Sequence, residues 1–308
     1  MAFKPQYTLI VLAGPTASGK TQLAIELAQH FHTEIISADS RQFYREIPIG
    51  TAAPTPEQLK AVPHHFIGNL SVTDDYNVST YEKEVLELLK KKFISNPVMI
   101  MTGGSGLYIN AVCKGIDDIP NPDKSLRNEL NQLFLEKGIE TLRTKLNAID
   151  PEYYSVVDHN NPKRLLRALE VCLQTGEKYS KLRKNKDSKR PFNIIKVGLE
   201  VPREILNERI NKRTDEMIRL GWIQEAESVI RYKDYNALNT VGFKELFKYL
   251  EGKWTLEHAV EKIKTNTRRY AKRQMTWFRK DTDITWFSPG NIKTIISHLD
   301  DKLNQQNI

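Results

Sequence analysis

Cysteine is scarce in this chain: Cys113 and Cys172 stand alone among 308 residues. Two thiols so far apart in sequence cannot build a disulfide framework or a four-ligand zinc cluster, and they suit a reducing cytoplasm. Long hydrophobic runs are missing too. No stretch approaches the roughly 18 consecutive apolar residues of a membrane span, so no membrane association is expected. The opening MAFKPQYTLIVLAGP carries a short apolar run that leads into a glycine-rich turn, not a small-residue cleavage site, so it does not read as a secretory signal. No internal repeat or low-complexity tract occurs. Acid is missing from one segment in particular. Between residues 262 and 280 lie Lys262, Lys264, Arg268, Arg269, Lys272, Arg273, Arg279 and Lys280, with no Asp or Glu among them. With those eight set aside, the remainder is balanced at 38 basic against 38 acidic residues, so the formal net charge of +8 can be assigned to this one stretch. Such a segment is either a solvated helix face or a footprint for a polyanion.

What is present is an alternation of short apolar runs and amphipathic segments. Residues 8–13 (Thr-Leu-Ile-Val-Leu-Ala) read as a buried strand, and residues 21–31, with apolar positions at helical spacing, as the helix after it. Residues 34–37 predict a second strand, 79–95 a helix, and 97–102 a third strand. Strands that are apolar throughout and alternate with helices predict an α/β fold with a parallel sheet covered on both faces. The proline-rich loop at 117–123 opens a charged helical stretch broken at Gly138, Asp150-Pro151, Asn161-Pro162 and Gly176. Residues 121–190 are therefore expected to form an inserted helical domain, with 1–120 and 191–308 as the core. Residues 193–201 read as a return to the sheet, 204–219 and 222–231 as helices, 256–279 as a long helix, 284–287 as a last strand, and a helix follows from Asn291.

Gly14-Pro15-Thr16-Ala17-Ser18-Gly19-Lys20-Thr21 fits the phosphate-binding pattern GxxxxGK[ST], and it lies where that pattern works, between a strand and a helix. Glycines let the backbone wrap a phosphate chain, inward N–H groups and the helix start supply positive potential, Lys20 adds a point charge, and Thr21 offers a hydroxyl to Mg²⁺. A di- or triphosphate ligand follows; the bond broken does not. Nucleotide-hydrolysing relatives of this loop carry an acid after another strand, yet residues 98–101 run into Thr102-Gly103-Gly104-Ser105-Gly106 with no acid. The acidic candidate is Asp39, after the second strand, where neighbouring strand ends converge on one crevice. It could accept a proton there, or simply cap a turn. The glycine turn at 103–106 is either a second anion site or a tight connection.

These residues resemble the tRNA dimethylallyltransferase family, bacterial type. Seven ordered blocks carry the likeness: GPTASGKT at 14–21; Asp39-Ser40-Arg41-Gln42 with Tyr44 and Ile49-Gly50-Thr51-Ala52; Pro63-His64-His65; Gly103-Gly104-Ser105-Gly106-Leu107-Tyr108; residues 161–170 (NPKRLLRALE); Val241-Gly242-Phe243-Lys244-Glu245; and residues 268–279 (RRYAKRQMTWFR). The resemblance implies prenylation at N6 of the adenosine next to the anticodon in tRNA, with dimethylallyl diphosphate as donor and Mg²⁺ as cofactor. It implies that the loop at 14–21 and Arg213 hold the diphosphate, that Asp39 is the general base, and that Lys20 and Ser105 assist. It implies tRNA contacts at Asp39, Ser40, Arg41, Gln42, Ser105, Arg127, Lys163, Arg164, Leu165, Leu166 and Arg167. Ser105 stands where Thr is usual, and Ala53 where Lys is common. The two cysteines cannot supply the zinc finger of eukaryotic members.

Within the basic helix, Arg268 and Lys272 are four apart, as are Arg269 and Arg273, so all four are expected to meet RNA phosphates. Trp277 and Phe278 read more readily as core than as base-stacking groups. A second basic run occupies 181–190. A small-molecule kinase on the same scaffold, or a prenyltransferase acting on free adenylate, remain open alternatives. A monomer in the cytoplasm is expected.

Overall fold

The first strand, β1 (Thr8–Ala13), is buried along its whole length. Its side chains alternate between two cores, as a pleated strand requires. Leu9 and Val11 face one, Ile10 and Leu12 the other. A computed structural model describes residues 7–184 and 187–306. Six residues of the opening segment, and Asn185-Lys186 of the second basic run, lie outside the described residues.

Along the chain β1 is followed by α1 (Lys20–His30), β2 (Ile35–Ser37), α2 (Pro56–Ala61), β3 (His64–His65), α3 (Val78–Lys92), β4 (Val98–Thr102) and α4 (Gly106–Lys114). Then come α5 (Lys124–Ile149), α6 (Pro151–Tyr154), α7 (Pro162–Thr175) and α8 (Tyr179–Leu182). The chain continues with β5 (Asn193–Leu199), α9 (Arg203–Arg219), α10 (Trp222–Val229), α11 (Phe243–Leu250), α12 (Leu256–Phe278), β6 (Ile284–Phe287) and α13 (Ile292–Gln306). Among the described residues six strands pair in parallel in the order β3-β2-β4-β1-β5-β6. The expected α/β architecture with a parallel sheet is what forms. Leu9, Met99, Val85 and Ile109 belong to the core on one face of the sheet, while Ile10, Ile100, Leu27 and Leu299 belong to that on the other.

The chain divides into two compact units, Met1–Cys113 with Arg190–Ile308, and Lys114–Lys189. The second unit is helical. Asp123 caps α5 by accepting from Leu126 N, Asn161 caps α7 with Pro162 in its first turn, and Gly176 ends α7 in the left-handed conformation at φ 72°. Gly138, at φ 72°, breaks α5 internally. Leu142, Leu146, Leu165 and Leu169 form the centre of this unit.

Three elements differ from expectation. β3 is two residues long at the sheet edge and lacks the apolar run that marks a strand, so the strand expected third is the fourth. α2 has no buried residue, so it has no apolar stripe to announce it. α11 was masked by the Gly242 break before it, although it buries Phe243, Leu246 and Phe247.

Candidate active site

Three loops at the carboxyl ends of β1, β2 and β4 carry candidate site residues from the sequence analysis. The sequence at 14–21 gives the phosphate loop its shape. Gly14 has φ +149°, and a Cβ there would sit 3.1 Å from Leu199 O and 3.2 Å from Ser18 Oγ. Gly19 (φ +98°) and, unusually for a non-glycine, Ala17 (φ +62°) are also left-handed. Alternating backbone handedness of this kind turns successive N–H groups to one side, the arrangement that binds anions. Ser18 Oγ is buried and without a hydrogen-bond partner. Lys20 Nζ donates to Pro15 O at 2.6 Å across the loop. Burial pushes the Lys20 ammonium down to about 8; the Asp39 charge opposes that fall and the Arg213 charge adds to it. Arg213, from α9, donates to Thr16 Oγ1 at 3.4 Å and to Ala52 O at 3.5 Å. Burial lowers its pKa as well, against the pull of Asp39. Lys20, Arg213 and Asp39 thus form one electrostatic group.

Asp39 follows β2, whose end is held by Tyr81 Oη donating to Ser37 O at 2.8 Å. Its Oδ1 accepts from Arg41 N at 3.1 Å, so the carboxylate does cap a turn. Capping uses one oxygen only. Oδ2 lies toward Gly104, 3.8 Å from where a Cβ would stand. Ser105 Oγ accepts from Ser40 N at 3.0 Å and donates to Ser40 Oγ at 3.1 Å, tying the glycine turn to the Asp39 loop. That turn is tightly packed. A Cβ on Gly103 would meet Ala38 backbone atoms at 2.3 Å, and one on Gly106 the Trp277 ring at 2.2 Å.

The other expected RNA-contacting residues divide by their present partners. Arg41 Nη1 donates to Asn236 O at 2.7 Å, and Gln42 bridges Ser37 Oγ to Ala52 O. Both brace the loops. In the helical unit Lys163 and Arg164 are exposed. Arg127 and Arg167 each bond Glu170 Oε2 at 2.7 Å, and Glu170 is 1% exposed. Leu165 is fully buried and Leu166 packs on the same core, so the Leu165 side chain serves packing.

On α12, Arg269, Lys272 and Arg273 are exposed. Arg268 is held by Asn211 and Thr265. Arg268, Arg269 and Lys272 line a cavity of about 730 Å³ with Arg203 and Arg279. The segment is less uncompensated in space than in sequence. Lys264 pairs with Asp215 at 2.8 Å, and Arg279 pairs with Glu200. In the second basic run, Arg190 pairs with Glu82 and donates to Ala111 O and Val112 O, a structural role. Phe278 is core, as expected, but Trp277 is 42% exposed.

Two residues escaped the sequence reading. Gln274, from α12, is 5% exposed; its Oε1 accepts from Thr16 N at 2.9 Å and its Nε2 donates to Gly104 O at 2.9 Å. Glu225, from α10, accepts from Ile49 N and Gly50 N at 2.7 Å each. It fixes the loop whose Ala52 carbonyl meets Arg213 and Gln42. Spacing could have found Gln274. Tyr270, Gln274 and Trp277 lie four and three apart, on one helix face, and Gln274 is the polar residue among them.

For a divalent cation the fit is that of a hard oxygen site. Among the described residues no cluster of three or more His, Cys, Asp or Glu could hold a metal unaided. Thr21 Oγ1 and the Asp39 carboxylate are oxygen donors beside a phosphate loop, and Mg²⁺ typically takes one or two protein oxygens, waters and substrate phosphates. The residues fit such an ion. Among the described residues no helix is long and apolar enough to cross a membrane.

Known proteins match this chain in sequence and fold. The profile of the family described as IPP transferase matches residues 42–281. The chain is 51% identical over 292 residues to tRNA dimethylallyltransferase 1 of Bacteroides thetaiotaomicron, with 95% of each chain covered. It resembles the solved full-length tRNA isopentenylpyrophosphate transferase of Bacillus halodurans with a TM-score of 0.72 and 35% identity, over 97% of this chain and 98% of that one. It also resembles a eukaryotic dimethylallyltransferase described as acting on tRNA, with a TM-score of 0.75 and 27% identity, over 93% of this chain and 75% of that one.

Proposed function

The chain belongs to the IPP transferase family, and from that premise we propose that it transfers a dimethylallyl group from dimethylallyl diphosphate to N6 of the adenosine adjacent to the anticodon in tRNA. Diphosphate is the leaving group. The observation that carries the reading is the grouping of Asp39 with Lys20 and Arg213 around the phosphate loop. A proton acceptor thus sits beside a diphosphate cradle.

The chemistry follows from those groups. The allylic C–O bond breaks and its electron pair departs on the diphosphate oxygen. Lys20, Arg213 and loop N–H groups other than that of Thr16 would face that charge as it develops, which is where fixed positive groups accelerate a reaction most. The N6 amine forms the new C–N bond and passes a proton to Asp39, through the carboxylate oxygen that Arg41 N leaves unused. Ser105 holds the Asp39 turn through Ser40. A magnesium ion, when bound, supplies further charge neutralisation at the leaving diphosphate, with Thr21 as the residue that would hold it. To reach Asp39 the target adenosine leaves its stack and enters the crevice. The exposed Arg269, Lys272 and Arg273, with Lys163 and Arg164 of the helical unit, would contact backbone phosphates. Cys113 and Cys172 are buried and in no disulfide, in keeping with the cytoplasm.

Incubation with labelled dimethylallyl diphosphate, magnesium and undermodified tRNA tests this. Label should appear on tRNA, and Asp39→Asn should slow a single turnover by about 10²–10⁴-fold with tRNA affinity within about threefold of the parent. Label on free AMP in place of tRNA, or ATP hydrolysis with no labelled tRNA, overturns the reading. An active Asp39→Asn removes Asp39 as the base.

A further inference from the structure

Gln274 joins the two halves of the reaction. Its amide lies between the diphosphate loop, at Thr16 N, and the glycine turn, at Gly104 O. Ser105, next in the chain, holds Ser40, and Ser40 follows Asp39. One continuous path therefore runs from the loop that holds the leaving group to the residue that takes the proton. The sequence separations are 258 residues on one side and 170 on the other, so no local structure enforces this spacing. The fit leaves no slack, because a Cβ on Gly104 would sit 2.2 Å from Gln274 Nε2. Thr16 N–H, a loop donor of the kind that meets phosphate, is committed here to Gln274.

Resting on the prenyl-transfer reading, we infer that Gln274 is a positioning residue that sets the distance between the diphosphate cradle and the Asp39 base by bonding both loops through one amide. Only a group that accepts at one atom and donates at the other can do this. Methionine has similar length and neither capacity. An ionised glutamate can accept from Thr16 N but repels Gly104 O, whereas a protonated glutamic acid reproduces both bonds.

The test compares the full-length parent enzyme with Gln274→Met and Gln274→Glu, using labelled dimethylallyl diphosphate and undermodified tRNA. Misplacement on the scale of 1 Å costs about 10²-fold in rate. Gln274→Met is therefore expected to lose about 10²-fold in kcat, with KM for both substrates within about threefold. Gln274→Glu should regain activity relative to the parent, by about tenfold or more, as pH falls from about 8 to 6. Asp39, Lys20, Arg213 and Tyr270 are the charged and titratable groups of this crevice and both proteins carry them, so the variant-to-parent ratio at each pH is the quantity read. A packing role predicts a flat ratio. The inference is overturned if Gln274→Met keeps kcat within about threefold of the parent, if its loss lies in KM alone, or if the Gln274→Glu ratio does not move with pH. Absence of prenyl transfer by the parent enzyme would count against the proposed function instead.

Discussion

At the scale of single residues, Lys20 carries the clearest titration signature. Burial, opposed by the Asp39 charge, holds it down at about 8, well below an ordinary lysine. The sign for folding follows from proton binding. Between about pH 8 and 10.5 the unfolded chain holds a proton that the folded chain has lost, so this group makes stability rise with pH across that window. Diphosphate binding has the opposite sign, because the ligand needs the charged form. Affinity of the free enzyme for a non-reacting diphosphate analogue is expected to fall as pH rises through about 8, by at most tenfold per unit. In Lys20→Met the affinity should be weaker throughout, and this fall should vanish. Calorimetric titration of both proteins from about pH 6.5 to 9.5 reads it. An identical pH slope in the two would mean that the diphosphate does not meet the Lys20 charge.

At the scale of elements, the turn between β4 and α4 shows why glycine recurs there. A Cβ on Gly103 would come within 2.3 Å of Ala38 backbone atoms, which cannot step aside, while one on Gly106 would meet the ring of Trp277. Gly103→Ala should cost about 2–3 kcal/mol, a fall in Tm of about 5–10 °C. Gly106→Ala should cost less, about 1 kcal/mol, because a part-exposed indole can swing away. Thermal and denaturant melts rank the two; the reverse order would show that the turn is not held against Ala38. The strong glycine pattern of this turn was visible in the sequence, but its meaning was not. An anion site and a tight connection share one spelling, and only the packing against Ala38 and Trp277 favours the second for Gly103 and Gly106. Other parts were more legible. The apolar runs of β1 and β4 stand out because strands buried on both faces leave little polar sequence to blur them, and β5 departs from this at the buried Lys196, which pairs with Asp281. The phosphate loop is a contiguous motif. Gln274 and Glu225 act across long sequence separations on backbone groups that any residue type offers, so helical spacing marks the face Gln274 lies on but no local pattern reports the partners of either residue. The two-residue β3 is fixed by pairing to β2, not by its own composition.

At the scale of the whole molecule, the charge excess resolves into contributions that sequence counting merges. Lys264, Arg279 and Arg190 are committed to carboxylates, and Arg127 and Arg167 to Glu170. What stays exposed in the first unit includes Arg269 and Arg273 on α12; in the second it includes Lys163 and Arg164 at the start of α7. If both sets meet phosphates of one tRNA, each neutralised phosphate releases counterions, and each set adds to the salt dependence of binding. Replacing Arg269 and Arg273 by Ala should lower the slope of log K against log salt by about 1 to 2, and replacing Lys163 and Arg164 should do the same. Sites with no shared partner combine additively, so the fourfold variant should show the sum of the two losses to within about 0.5 kcal/mol. Filter or fluorescence binding of tRNA over a range of salt measures all four proteins. A fourfold variant no weaker than one of the pairs would assign the RNA contact to a single unit, and an unchanged slope for the α12 pair would return that helix face to plain solvation. The quantity that matters for binding is therefore the set of cations that the fold leaves without a carboxylate, not the net count of +8.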